Sequence, residues 1–304
     1  MNKLYKLYNS TFSSPFFESK SLIAKLFRLI LSLTANLIAP ILYDFKLRSY
    51  RGFESTNIAV NLTSFPNRIS RLHLVIKSIL LQEVVPETIN VWLSKEQFEG
   101  GYDELPLSLK KLNRYGVNFY FVDEDLRSYK KFYYFLSQEK NQTFITLDDD
   151  VFYHKATIKM LLKCHYKYPN KVCANRVLVI DQHSKYSEWI MANDRETSSF
   201  LYLPTGCAGV LYPNGCLGND ALNKSIFTRY CSNADDIWLN VNTFLNGYEV
   251  CYTGFNLFLL NVYNKVPLNL HDSNVGEGNN DKVIKSMREY FQSHLGLDVF
   301  DRKN

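Results

Sequence analysis

Beyond residue 57 the apolar positions fall into short continuous runs separated by stretches with helical spacing. Ile58–Thr63 reads as a strand, Ser64-Phe65-Pro66-Asn67-Arg68 as a turn, and Leu72, Val75, Ile76, Ile79 and Leu80 mark one face of a helix over Leu72–Leu81. Strands follow at Ile89–Leu93 and Val117–Val122, a helix at Tyr129–Leu136, and a strand at Phe144–Leu147. This alternation predicts an α/β fold with a mostly parallel sheet. Ligands of such sheets gather at the carboxyl ends of the strands, where Thr63, Ser64 and Asp148–Asp150 would lie. Lys155–Tyr168 is predicted helical, with His165 a core or rim residue. Val172–Ile180 reads as one strand carrying Arg176. Pro204–Pro213 is a turn-rich loop entering a short strand, and its small residues allow close backbone approach to a ligand. Ser232–Leu239 has the form of a helix start, with capping residues ahead of Asp235 and Asp236. A polar loop, His271–Asp281, precedes a last helix over Asp281–His294.

The N-terminal segment has a different pattern. Ser21, Lys25, Arg28, Ser32 and Asn36 form a polar stripe on an amphipathic helix over residues 21–42, whose other faces carry Leu22, Ile23, Leu26, Phe27, Leu29, Ile30, Leu33 and Leu37. Its longest uncharged run, Leu29 to Tyr43, falls short of the roughly 20 residues needed to cross a bilayer and contains Pro40. The helix is therefore expected to lie in a membrane interface; packing on the body or on a second subunit is the alternative.

Charge sharpens that reading. Residues 1–51 carry eight basic side chains against Glu18 and Asp44, a net of +6, while the rest of the chain sums to −1. Such asymmetry points to a polyanionic partner at one end. No basic-aromatic platform or helix-turn-helix pattern accompanies it, so a membrane surface contacted through residues 1–50 is expected, and no nucleic acid. The 304 residues, 46% of them hydrophobic, suffice for a large core, and the modest Gly and Pro content argues against disorder. None of the six cysteines forms a Cys-x-x-Cys pair, which argues against zinc knuckles and redox motifs. With no cleavable signal pattern, a reducing, cytoplasmic location at the inner face of the cytoplasmic membrane is expected.

The strongest chemical signal is Phe144-Ile145-Thr146-Leu147-Asp148-Asp149-Asp150-Val151-Phe152-Tyr153. An apolar strand runs directly into three carboxylates, which repel one another unless a cation sits among them. Such hard oxygen ligands suit Mg²⁺ or Mn²⁺ with a substrate phosphate as a further ligand. An acidic turn capping the next helix is the alternative. A calcium loop lacks its downstream ligands, and a phosphotransferase of the Asp-x-Asp-x-Thr/Val type would not place Phe152 at the fifth position.

Ser64-Phe65-Pro66 with Arg68, Ser128-Tyr129-Lys130-Lys131, Thr146–Tyr153, Thr205-Gly206 to Tyr212, and Asp235-Asp236-Ile237-Trp238 occur in this order. Together they resemble the bacterial GT-A glycosyltransferases of polysaccharide and lipopolysaccharide synthesis, with a more distant similarity to exostosin-type transferase domains. The resemblance covers roughly residues 57–255. It implies a GT-A fold, with a Rossmann-like sheet flanked by helices, and an Asp-x-Asp motif holding Mn²⁺ or Mg²⁺ against a nucleotide-sugar diphosphate. By that resemblance Asp150 binds metal directly, Asp148 contacts metal or ribose, and Asp149 supports the site. Thr63, Ser64 and Arg68 line the nucleotide pocket, Lys130 or Lys131 contacts diphosphate or ribose, and Gly206 borders the donor sugar. Asp236, ahead of Asp235, stands near the acceptor as general base or sugar ligand, with helix capping the alternative for one of the pair. His271 completes the metal shell, or is an exposed loop histidine.

The implied organisation is a basic amphipathic arm over residues 1–55, a GT-A domain over 56–262, and a tail over 263–304 that completes the active site. The implied activity is metal-dependent transfer of a sugar from a nucleotide-sugar, a UDP-sugar favoured, to a glycan or lipid-linked acceptor in surface polysaccharide synthesis. A GT-A-like sugar-binding or membrane scaffold protein without turnover is the alternative.

Overall fold

The computed structural model describes residues 22–48, 54–139, 142–192, 195–255, 259–263 and 278–302. The N-terminal helix, α1, runs Leu22–Arg48 and continues past the predicted end at residue 42. At about 1.5 Å per residue it is roughly 40 Å long. Its segment Leu29–Arg48 is long and apolar enough to cross a membrane by length and composition. The uncharged run alone is shorter, but the helix continues through Asp44, Lys46 and Arg48 without a break.

The first strand, β1, is Ala59–Thr63. Helix α2, Pro66–Leu80, starts a turn and a half before the apolar periodicity suggests, because Pro66 occupies the first helical turn behind an extended Phe65. This places Arg68, buried, next to the end of β1. Strands β2 (Ile89–Ser94) and β3 (Val117–Val122) lead to helix α3 (Lys130–Gln138) and strand β4 (Phe144–Thr146). After the aspartates come a two-residue strand β5 (Val151–Phe152), helix α4 (Thr157–Lys167) and strand β6 (Val172–Ala174). Then follow β7 (Thr197–Ser199), β8 (Val210–Tyr212), helix α5 (Asp235–Leu245), β9 (Val250–Tyr252), β10 (Leu260–Asn261) and helix α6 (Asn279–Leu295).

Eight of these strands form one sheet in the order β7-β9-β6-β8-β4-β1-β2-β3. The expected α/β architecture, a mostly parallel sheet flanked by helices, is present: β4, β1, β2 and β3 are parallel neighbours, as are β9 and β6. Strand β8 enters antiparallel between β4 and β6, and β7 pairs antiparallel with β9 at the edge. The predicted strand Val172–Ile180 divides. Only Val172–Ala174 joins the main sheet, while Val177–Val179 pairs with Tyr202–Pro204 in a separate ribbon.

Successive residues of each strand feed opposite faces of the sheet. Val60, Leu62, Val91 and Ile145 pack with Leu72, Val75 and Leu161 in one core. Ala59, Trp92, Phe144 and Tyr212 pack with Phe132, Trp238 and Met287 in the other. Ala39 and Leu47 of α1 join the first core, and Ile284 and Phe291 of α6 join the second. His165 sits at the rim, half-buried. All six cysteines are free, and only Cys207 is not fully buried.

Candidate functional site

The parallel strands end together on one edge, and the chemistry gathers there. Leu147 continues β4 by donating its backbone N–H to the Asn61 carbonyl (3.1 Å), so the aspartates begin where the sheet stops. The three then divide between two cations, Arg68 and Lys131. Asp149 turns inward: Ser64 Oγ donates to its Oδ2 at 2.6 Å and Arg68 Nη1 lies 2.6 Å from its Oδ1. The same guanidinium nitrogen is 2.9 Å from Asp150 Oδ2. Burial alone would lower the Arg68 pKa, but Asp149 and Asp150 outweigh it and hold the guanidinium charged. Asp148 turns the other way, its Oδ1 2.9 Å from the ammonium of Lys131.

Lys131 joins this loop to the start of α5. Its Nζ is 2.8 Å from Asp235 Oδ2, an ion pair without hydrogen-bond alignment. Desolvation opposes its charge, yet Asp148, Asp235 and Asp236 together keep it protonated well above the ordinary lysine range. Asp235 and Asp236 open α5 behind Ala234, and no side chain caps the helix. Neither aspartate is therefore the N-cap residue; both lie in the first turn of the helix. Asp236 Oδ2 instead accepts a hydrogen bond from the Gly206 backbone N–H at 2.9 Å. Desolvation first, then Asp235, pushes the Asp236 carboxyl up to about 7.

Gly206 marks the meeting point. A Cβ there would stand 3.0 Å from Asp236 Oδ1, 3.0 Å from Lys131 Nζ and 3.4 Å from Asp148 Oδ1. The turn Gly206–Ala208 thus brings bare backbone against three charged side chains from three distant parts of the chain. Asp148, Asp235 and Asp236 face the single ammonium of Lys131, leaving an excess of negative charge that favours a cation or a shared proton.

Some predicted residues lie elsewhere. The Thr63 hydroxyl donates to the Trp92 carbonyl at 2.7 Å, so it ties β1 to β2. Lys130 forms an ion pair with Asp125, whereas Lys131, one position on, turns into the site; consecutive helical residues cannot face the same way. His271 lies outside the described residues. Sequence reasoning missed Tyr153, whose hydroxyl accepts from the Asp148 N–H at 2.7 Å and lies 3.2 Å from its carbonyl. It also missed Asp125 and the role of Arg176, which donates to Thr205 Oγ1 at 2.8 Å just ahead of the Gly206 turn.

Among the described residues, no three His, Cys, Asp or Glu side chains converge as a closed metal cage. The donor chemistry nevertheless suits a hard divalent cation. Asp148 and Asp150 are 31% and 30% exposed, each with only one carboxylate oxygen in an ion pair that the geometry resolves. Mg²⁺ and Mn²⁺ take one or two carboxylates and draw their remaining ligands from water and phosphate oxygens. Asp149 does not fit that role, because both its oxygens are engaged in the interior.

No protein-family profile and no curated protein sequence matches this chain. Among solved structures, it is similar to the mannosyltransferase PcManGT from Pyrobaculum calidifontis in complex with GDP-Man and Mn²⁺, with TM-score 0.47, 10% identity, and coverage of 87% of this chain and 75% of that one. It is also similar to S. aureus TarS in complex with UDP-GlcNAc, with TM-score 0.45, 11% identity, and coverage of 78% of this chain and 81% of that one. Likenesses this remote leave the assignment to the residues of the site itself.

Proposed function

We propose that the chain is a metal-dependent GT-A glycosyltransferase that moves a sugar from a nucleotide-sugar, a UDP-sugar favoured, to a glycan or lipid-linked acceptor in bacterial surface polysaccharide synthesis. The observation that carries this reading is the convergence of Asp148, Lys131 and Asp236 on the bare backbone of Gly206.

Asp148 and Asp150 would hold Mn²⁺ or Mg²⁺, which when bound supplies charge neutralisation for the departing diphosphate. Arg68 and Ser64 fix Asp149 and thereby set the course of the loop. Lys131 holds Asp148 and α5 at one spacing, so the aspartate loop and the Asp236 carboxylate keep a fixed relation. The Gly206 turn sets its backbone N–H on Asp236 and its bare Cα against Lys131 and Asp148, so the donor-side and acceptor-side groups meet at one point. A carboxylate poised near pH 7 matches the task of taking a proton from an acceptor hydroxyl, because a base is most effective when its pKa is close to the working pH.

The same reading places the protein at the inner face of the cytoplasmic membrane. Leu37, Ile41 and Phe45 of α1 are 74%, 73% and 73% exposed on the side away from the body. The opposite side is fastened down: Asn36 Nδ2 donates to the Asn261 carbonyl at 3.0 Å, its Oδ1 accepts from the Tyr263 N–H at 2.8 Å, and Asp44 pairs with Lys77. A helix fastened along its second half to the body by both core packing and hydrogen bonds, with its outer face apolar, is suited to lying in the interface rather than crossing it.

The test is turnover. Purified protein with Mn²⁺ and a panel of nucleotide-sugars should release free nucleoside diphosphate, and EDTA or Asp236→Asn should stop it. Binding of a nucleotide-sugar with no turnover under any acceptor would instead establish a sugar-binding scaffold.

A further inference from the structure

The other cations of the site are committed to carboxylates. Arg68 holds Asp149 and Asp150, Lys131 holds Asp148 and Asp235, and Lys130 holds Asp125. Arg176 differs: no carboxylate lies within ion-pair distance of it among the described residues. It is half-buried, between β6 and the ribbon strand Val177–Val179. Its Nη1 donates to Thr205 Oγ1 at 2.8 Å and lies 4.0 Å from Cys207 Sγ, while its carbonyl accepts the Thr205 N–H at 3.0 Å. Two bonds to one threonine fix the guanidinium in place. Of its five N–H donors, those on Nε and Nη2 meet no acceptor among the described residues, and neither atom is sealed in the interior. Such a fork matches a carboxylate or a phosphate, which it grips through two parallel hydrogen bonds.

Its place relative to Asp236 is set by the turn. Thr205 and Cys207 flank Gly206, whose N–H is on Asp236. Burial first, then Asp236, raises the Tyr186 hydroxyl pKa and Arg176 opposes them, so this ring lies within electrostatic reach of both groups. The Tyr186 backbone N–H donates to Asp281 Oδ1 at 2.8 Å, which ties its segment to the first turn of α6. The buried side chain of Asn280 stands beside the Tyr186 hydroxyl. Arg176 pairs with none of Asp148, Asp149 and Asp150, so this polar wall is separate from the groups that suit a cation and a diphosphate.

We propose that Arg176 reads an oxyanion carried by the acceptor glycan itself, the carboxylate of an acidic sugar or a phosphate on a sugar or polyol, with Tyr186 and Asn280 lining the same subsite. The proposal rests on the sugar-transfer reading for the word acceptor; the anion subsite stands on the geometry of Arg176. A half-buried charge without a counterion is costly, and a bound oxyanion relieves that cost where a neutral hydroxyl does not. Asp148, Asp235 and Asp236 would otherwise repel an acidic acceptor, and the uncommitted guanidinium offsets them.

The experiment is saturation-transfer NMR titration of the full chain with two matched pairs of probes, first without and then with UDP and Mn²⁺. One pair is methyl β-D-glucuronide and methyl β-D-glucoside; the other is sn-glycerol 3-phosphate and glycerol. The charged member of at least one pair should bind roughly ten- to a hundredfold more tightly than its neutral partner, the scale of a charge-assisted hydrogen bond. The pair that shows the preference distinguishes carboxylate from phosphate. Arg176→Gln, which can still bond Thr205, should erase the preference, and Arg176→Lys, which keeps the charge but not the fork, should fall between. Should Arg176→Gln fail to fold, Arg176→Lys and the wild-type pairs decide. Equal binding within both pairs, a preference that persists in Arg176→Gln, or loss of charged-probe binding when UDP and Mn²⁺ are added would each overturn the proposal. An Arg176-dependent preference in a chain that turns over no nucleotide-sugar keeps the subsite and sinks the transferase reading. Transfer to neutral acceptors as fast as to their charged counterparts does the reverse.

Discussion

Arg68 reaches Asp149 at 2.6 Å in the interior, where both side chains are more than nine-tenths buried. The middle aspartate is thereby a structural anchor for the loop that carries its two neighbours. Breaking a buried ion pair by removing one partner typically costs ~3–5 kcal/mol. Arg68→Ala, which strands Asp149, should be destabilised on that scale in urea denaturation. Asp150→Ala should lose much less, because Asp149 still holds the guanidinium. Equal losses would show that the two aspartates share the anchor.

Asp236 gives a prediction in which stability and activity move in opposite directions. Its folded carboxyl is pushed up to about 7 from an ordinary 3.8, desolvation being the largest cause. Below pH 3.8 both states hold the proton, so the shift costs nothing. Between 3.8 and 7 the unfolded chain releases it first, and the native state loses stability as pH rises through that window. Above 7 the full penalty remains. Asp236→Asn should therefore melt several degrees higher than wild type at neutral to mildly alkaline pH, while kcat falls ~10²–10⁴-fold. Wild-type kcat/KM should climb with pH and level off above about 7. A melting point that drops in Asp236→Asn would mean the Gly206 hydrogen bond outweighs the burial of charge.

Much of this was legible in the sequence. The four parallel strands fall on the short apolar runs, and the aspartates follow the end of β4, because a buried strand imposes its own composition. The partners of Asp149 did not follow from local pattern. Ser64 and Arg68 lie 85 and 81 residues away, and three adjacent aspartates look alike until the chain turn after Leu147 sends one inward. The antiparallel entry of β8 was equally hidden, since Val210-Leu211-Tyr212 reads as a buried strand in either direction. Lys130 and Lys131 are chemically the same residue type, and only the helical phase of α3 separates a partner of Asp125 from a partner of Asp148.

Gly206 tests the convergence directly. Its backbone lies outside the left-handed region, so an added methyl is strained only by what it meets: Asp236 and Lys131, each at 3.0 Å. Contacts that tight force both charged groups to shift. Gly206→Ala should fold normally and lose ~10–100-fold in kcat/KM, the scale on which small misplacements of reacting groups act. Unchanged kinetics would place the reacting sugar elsewhere.

Metal dependence separates the roles of the aspartates. Mn²⁺ with a nucleoside diphosphate should raise the melting temperature of wild type, because a ligand that binds only the native state stabilises it. That rise should vanish in Asp150→Ala and shrink in Asp148→Asn. Asp148→Asn also releases Lys131 from one of its partners, so loss of the shift there alone would trace to the lysine and not to a metal ligand.

The membrane assignment calls for substitutions rather than truncation. Removing residues 1–50 would also strip Ala39 and Leu47 from the core and Asn36 from its bonds to Asn261 and Tyr263, so lost binding could simply report misfolding. Leu37, Ile41 and Phe45 avoid this, because they stand exposed on the outer side of α1. Burying apolar surface contributes roughly 25 cal/mol per Å², so three large side chains entering a lipid interface together supply several kcal/mol. The triple change Leu37→Glu, Ile41→Glu, Phe45→Glu removes that and adds three negative charges opposite an anionic surface, leaving the packed side of the helix intact. In liposome flotation with anionic lipid, wild type should rise with the vesicles and the triple variant should stay in the soluble fraction with an unchanged melting temperature. Flotation of both would move the membrane contact off this face of the helix.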